Sequence, residues 1–208
     1  FDTILRASHG LDPDEVPLRK LEIYMVRDIV EMRRVLPQAP DTLGGFYASG
    51  MGDLFAVSLR TRVRDDYGDD ILLHEYTHHF MRQYMTPRYP GWLVEGYAEY
   101  FATAKLTTTR FELGLPNLGR LYQLRNERWI SSELLLTEQP YGLDAEQRSA
   151  FYAQAWLLTH YMKADKARFA QLKAYEAALV AGKDSKSAWL AATGEDLATL
   201  DTKLRAYA

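Results

Sequence analysis

The sequence predicts an α+β fold, and three observations lead there. Residues 1–68 are cut by Pro13, Pro17, Pro37, Pro40, Gly44, Gly45, Gly50, Gly52 and Gly68 into pieces of strand length. From Asp69 or Asp70 the apolar residues switch to three- and four-residue spacing. Beyond Gly119 that helical spacing continues almost to the C-terminus.

Taken in chain order, Leu21 to Val26 reads as a strand, and Met32 to Leu36 as a brief helix stopped by Pro37. Short strands fit this part better than long helices. Gly45 to Ser49 and Asp53 to Leu59, joined across Gly50, Met51 and Gly52, form a predicted hairpin; the charged stretch from Arg60 to Asp70 reads as an exposed loop. A helix then carries Ile71, Leu72, Leu73, Tyr76, Phe80 and Tyr84 on its apolar spacing until Pro87. The next starts near Pro90 and runs to about Lys105, closed by Thr107, Thr108 and Thr109. Helices follow at about 118–127, 131–137, 145–163, 165–181, 184–192 and 195–206, with Gly182 and Gly194 where C-terminal caps belong. The expectation is a single domain in three parts: a mixed β-rich part (1–68), a helix pair (69–106) and a helical lobe (107–208).

Composition narrows the function. A chain of 208 residues with 47% apolar and 25% charged residues has the material for a packed core, and its net charge of −3 comes without a basic stripe, which argues against nucleic-acid binding. No apolar run approaches the roughly 18 to 20 residues that cross a bilayer. With no cysteine, thiolate metal sites, disulfides and cysteine nucleophiles are excluded. The sequence opens at Phe1 rather than Met, which raises the expectation of an upstream segment removed on export and of a periplasmic or extracellular location.

The informative segment is His74-Glu75-Tyr76-Thr77-His78, an H-E-x-x-H pattern inside a predicted helix. Residues four apart share a helix face, so the two imidazoles can converge on one ion at about 2.0 to 2.1 Å from each nitrogen. Glu75 follows the first histidine by about 100° of rotation, which sets its carboxylate beside such an ion, able to take a proton from water. A catalytic zinc site needs a third protein ligand, and a carboxylate is the natural one here. After 16 intervening residues come Glu95 and Glu99, four apart on one face of the second helix, where like charges repel and call for a cation or donor. One of them can bind the ion while the other orients a liganding histidine through its second ring N–H. Gly96 removes a side chain where the second helix is expected to approach the first.

H-E-Y-T-H followed by W-L-V-E-G-Y-A-E-Y-F resembles the gluzincin metallopeptidases, the M1-type aminopeptidases and the related peptidase MA-like bacterial domains. The shorter interval between His78 and Glu95 favours the MA-like group. The resemblance implies a zincin-like α+β fold with the active-site helix between a small N-terminal sheet and a mainly helical C-terminal lobe. It implies His74, His78 and Glu95 as ligands of one Zn2+ ion, Glu75 as general base, and Glu99 as a carboxylate supporting His74. It extends to Phe151 to Leu158, where M1-like enzymes open a helix with Y-x-K-G-A; Tyr152 matches the tyrosine that hydrogen-bonds the oxyanion, and Gln154-Ala155 stand in place of Lys-Gly. The implied activity is zinc-dependent hydrolysis of peptide bonds in a peptide or protein substrate. The G-x-M-E-N motif that holds a free substrate N-terminus in M1 aminopeptidases is missing, so aminopeptidase specificity is unsupported. The predicted hairpin could supply an edge strand for extended substrate.

Two other classes fit the same residues: a catalytically silent zincin-fold binding module, against which the intact Glu75 speaks, and a zinc hydrolase of a non-peptide amide or ester. His9, His79 and His160 read as packing residues, Tyr141 and Tyr161 as other candidate hydroxyls, and Arg125, Arg128 and Arg148 as solvated residues or partners of a substrate carboxylate.

Overall fold

A computed structural model of the chain describes residues 1–14, 20–41, 43–49, 54–60, 67–86, 88–107 and 109–208, with the backbone alone for 67–69. The fold is mixed α+β, predominantly helical with a small three-stranded sheet. The chain forms two compact units, residues 1–85 with 104–112, and 86–103 with 113–208. No helix among the described residues is long and apolar enough to cross a membrane.

The first unit opens with α1 (Asp2–Ser8), β1 (Glu22–Val26), α2 (Ile29–Val35), β2 (Gly45–Ser49), β3 (Leu54–Leu59) and α3 (Tyr67–Tyr84). The strand order is β1-β3-β2: β1 runs parallel to the central β3, and β2 pairs antiparallel with it, Gly45 opposite Ser58 and Ser49 opposite Leu54. The expected hairpin strands therefore exist; its tip at 50–53 lies outside the described residues, as do residues 61–66 of the expected loop, Pro17, Pro87 and Thr108.

Alternation along β3 assigns the two faces of the sheet. Phe55, Val57 and Leu59 join Phe46 of β2 in a cluster with Met32 and Ile29 of α2. On the opposite face Ala56, Ser58 and Gly45 are small, and α3 packs there. A Cβ at Gly45 would stand 2.7 Å from Cγ2 of Ile71 and 2.9 Å from the Val57 carbonyl, so the missing side chain is what lets α3 lie this close to β2.

Three features of this unit go beyond or differ from the sequence expectation. The first residues, for which no element was expected, form the seven-residue α1, held by the wholly buried Arg6, which donates to Asp2 at 2.6 Å and lies over the Tyr84 ring of α3 at 4.5 Å. The brief helix expected at Met32 starts at Ile29, because the Asp28 side chain accepts the Glu31 N–H at 2.9 Å while Glu31 reaches back to the Arg27 N–H. Past α3, β4 (Lys105–Leu106) and β5 (Phe111–Glu112) form a two-residue antiparallel ladder that begins where the second helix was expected to end.

The second unit contains α4 (Gly91–Ala102), α5 (Leu118–Asn126), α6 (Ser132–Thr137), a 3-10 turn (Pro140–Gly142), α7 (Ala145–Lys163), α8 (Lys166–Val180), α9 (Ser185–Thr193) and α10 (Leu197–Tyr207). Each of α5 to α10 begins at a side-chain N-cap, from Asn117, Ser131, Asp144, Asp165, Asp184 and Asp196 respectively. Gly194 ends α9 in the left-handed region at φ 72°. Trp92, Tyr97, Phe151, Tyr175 and Trp189 fill the interior, and Trp92 donates its indole N–H to the Tyr175 hydroxyl at 3.0 Å.

Candidate metal centre

Helix α3 carries His74, Glu75 and His78. Ile71, one turn before Glu75, seats the helix on Gly44 and Gly45, so the close approach of α3 to the sheet fixes where this face of the helix lies. The His74 and His78 rings meet edge to face with centroids 4.7 Å apart and their Nε2 atoms 3.0 Å apart. Two ligand atoms at about 2.0 to 2.1 Å from a tetrahedral ion are separated by roughly 3.3 Å, so this pair already stands near the spacing an ion requires. Glu75 between them is buried.

His79, the next residue, turns into the interior as a packing residue. Its Nδ1 lies 3.4 Å from the Tyr47 hydroxyl of β2, its Nε2 contacts Gln83, and Tyr47 and Tyr76 meet its ring edge to face. His9 packs on Phe80 with Nδ1 2.7 Å from the Leu5 carbonyl.

Helix α4 of the second unit carries Glu95 and Glu99. Gly96 between them faces α7: a Cβ there would stand 2.5 Å from the Ala155 carbonyl and collide with the Thr159 hydroxyl. The expectation that Gly96 serves an approach to the first helix is corrected accordingly; the close neighbour is α7, at Ala155, three residues beyond Tyr152.

The cation called for by two carboxylates on one helix face is, at Glu99, Arg120 of α5. Its Nε donates to Oε2 of Glu99 at 2.9 Å and its Nη2 to Oε1, while Asn117 donates to Oε2 at 3.2 Å. The Nη1 group donates to Gln123 at 2.9 Å, and Gln123 donates to Ser149 of α7 at 2.7 Å, so the guanidinium is gripped from both ends. Its carbon sits 5.2 Å from the centroid of the Tyr152 ring. Burial works against the Arg120 charge, but Glu99 first, then Tyr152 and Glu95, raise its pKa above the ordinary arginine value. Glu99 and Tyr152 therefore meet on one arginine, whose charge Glu95 also favours. Sequence reading passed over Arg120, for its partner Glu99 lies 21 positions back and no local pattern links them.

The remaining candidates have other partners. Gln154 clamps the backbone of Ile130, accepting its N–H at 2.8 Å and donating to its carbonyl at 3.0 Å. Arg148 donates to the carbonyls of Pro140 and Leu143, which makes it a tether of the preceding turn rather than a carboxylate partner. Arg125 and Arg128 are exposed, as is Tyr141. Tyr161 packs on Tyr207 and under Arg168. His160 joins the Tyr207 hydroxyl at 2.8 Å and the Gly114 carbonyl at 3.1 Å.

His74, His78 and Glu95 offer two imidazole nitrogens and a carboxylate oxygen, a donor set that could hold a metal ion. Set against protein-family models and curated proteins, the chain finds no match in either.

Proposed function

We propose that the chain is a zinc-dependent metallopeptidase of gluzincin type, with His74, His78 and Glu95 as the ligands of one Zn2+ ion. The observation that carries the reading is the His74 and His78 pair on one face of α3, Nε2 atoms 3.0 Å apart, with the carboxylate of Glu75 between them in sequence. Two imidazoles and a carboxylate in a chain without cysteine suit zinc, and three protein ligands leave a position open for chemistry.

When bound, the ion supplies Lewis acidity toward water and toward the scissile carbonyl. The protein's own groups do the rest. Glu75 takes a proton from the attacking water and returns it to the leaving amine. Tyr152 donates its hydroxyl to the oxyanion, and the Arg120 charge beside its ring favours that donation. Glu99, fixed by Arg120 and Asn117, orients His74. The substrate is a peptide or protein.

The test is metal content by elemental mass spectrometry after exposure to zinc and dialysis, on the unaltered chain and on Glu95→Gln, with peptide-library cleavage on the same preparations. The expected result is one zinc per chain, lost in Glu95→Gln, and peptide cleavage that stops with a chelator. A chain that takes up no zinc overturns the metal reading; zinc with ester but no peptide cleavage overturns the substrate class.

A further inference from the structure

Lys163, the last residue of α7, ends in an aromatic cage that the proposed metal chemistry does not use. Its ammonium lies 5.1 Å from the Tyr97 ring centroid, 5.3 Å from that of Tyr100, 5.3 Å from that of Phe101 and 5.0 Å from that of Phe169. Three rings come from successive turns of α4 and the fourth from α8, so the cage is built by the packing of α4, α7 and α8. Glu176, the carboxylate that favours this charge, is engaged elsewhere: it accepts from the Tyr97 hydroxyl at 2.5 Å and from Lys173 at 2.9 Å.

Four aromatic faces around one nitrogen are the chemistry that recognises alkylated ammonium groups. Methyl groups on Nζ keep the charge and add apolar surface against the rings. An acyl group removes the charge and leaves a polar amide among aromatic carbon. The amine is also primed to react. Burial brings its pKa down to about 8, with repulsion from Lys173 adding and Glu176 opposing. Lys186 and Lys203 lie the other way, held as ammonium ions by Glu133 and Glu195.

We infer that Lys163 is a site of N-methylation, the cage holding the methylated ammonium as it holds the unmodified one. With a methyl sulfonium donor the Nζ lone pair takes the methyl carbon, the C–S bond electrons leave on the thioether, and the amine proton goes to water.

Reductive methylation of the intact chain tests this with small reagents: formaldehyde condenses with the amine, water leaves, and a borane delivers hydride to the iminium carbon. Limiting reagent at pH 7, read by peptide mass spectrometry, is expected to dimethylate Lys163 at least about tenfold faster than Lys186 or Lys203, given their opposite departures from the ordinary lysine value. Thermal melting of the product is expected unchanged or raised, and melting after acetylation of Lys163 lowered. Phe169→Leu, which opens one wall, is expected to bring the Lys163 rate down toward that of the other two. Lys163 reacting no faster than Lys186, a lowered melting point on methylation, or an undiminished rate in Phe169→Leu each overturns the inference.

Discussion

Arg120 and Glu99 form a two-pronged ion pair, Nε to Oε2 at 2.9 Å and Nη2 to Oε1, on the one face of α4 that also carries Glu95. The carboxylate is nearly enclosed and the guanidinium about one quarter exposed, with side-chain exposures of 6% and 23%. Removing the arginine strands a buried charge, whereas removing the carboxylate's charge alone keeps hydrogen-bonding capacity at the same place. Arg120→Gln is therefore expected to lower unfolding free energy by about 3 to 5 kcal/mol, and Glu99→Gln by less. Urea titration of the two variants checks the order; an Arg120→Gln chain as stable as the unaltered one would show that the pair is not desolvated.

Gly96 supplies the second expectation. With the Ala155 carbonyl 2.5 Å from the place of a Cβ and the Thr159 hydroxyl closer still, Gly96→Ala has to push α4 away from α7, since the obstruction is partly backbone. Overpacking of this kind costs about 1 to 3 kcal/mol, which is about 2 to 4 °C of melting temperature for each kcal/mol in a chain of this size. Calorimetry is the check. Ala155→Gly in the same chain removes a methyl group but not the obstructing carbonyl, and is expected to restore little.

What could be read in the sequence follows from how local its cause is. The α5 to α10 segments were legible because helical periodicity agrees with the Gly182 and Gly194 stops; the Asn, Ser and Asp caps at every start emerge only in the structure. The H-E-x-x-H pair was legible because four-residue spacing fixes two side chains on one face without help from the rest of the fold. By contrast α1 depends on Arg6 reaching Tyr84, 78 positions away, and seven residues of mixed composition carry little signal of their own. The β4 and β5 ladder is two residues long, too short for alternation to be seen. Gly96 announced a close approach but not its partner, and Arg120 was hidden for the same reason: its role is set by a carboxylate on another helix.

His160 predicts a pH dependence outside the candidate metal centre. Burial lowers its pKa most, the Gly114 carbonyl opposes, and Arg168 lowers it further, so the folded chain holds this ring neutral below its ordinary value of 6.5. As pH falls through 6.5 the unfolded chain takes up the proton before the folded one. The stability contributed by the neutral ring is thus whole above pH 6.5 and is lost as pH falls through the lower folded value. Urea melts between pH 8 and 5 are expected to show this loss in the unaltered chain and a smaller one in His160→Gln. Equal slopes in both would assign the pH dependence to other groups.

Tyr152 and Glu75 separate two stages of the proposed hydrolysis. Glu75→Gln keeps the shape of α3 and the two histidines but removes the proton acceptor, so zinc uptake is expected to stay at one per chain while kcat falls by about 10² to 10⁴. Tyr152→Phe removes one hydroxyl beside Arg120 and leaves the ring that the guanidinium overlies. If that hydroxyl stabilises the oxyanion, kcat falls by about 10² to 10³ with KM little changed, since the interaction is made in the transition state rather than with bound substrate. A rise in KM at constant kcat would instead make Tyr152 a substrate-binding group, and unchanged kinetics would leave it as a packing partner of Arg120. The comparison requires equal zinc content in both variants, which the same elemental measurement supplies.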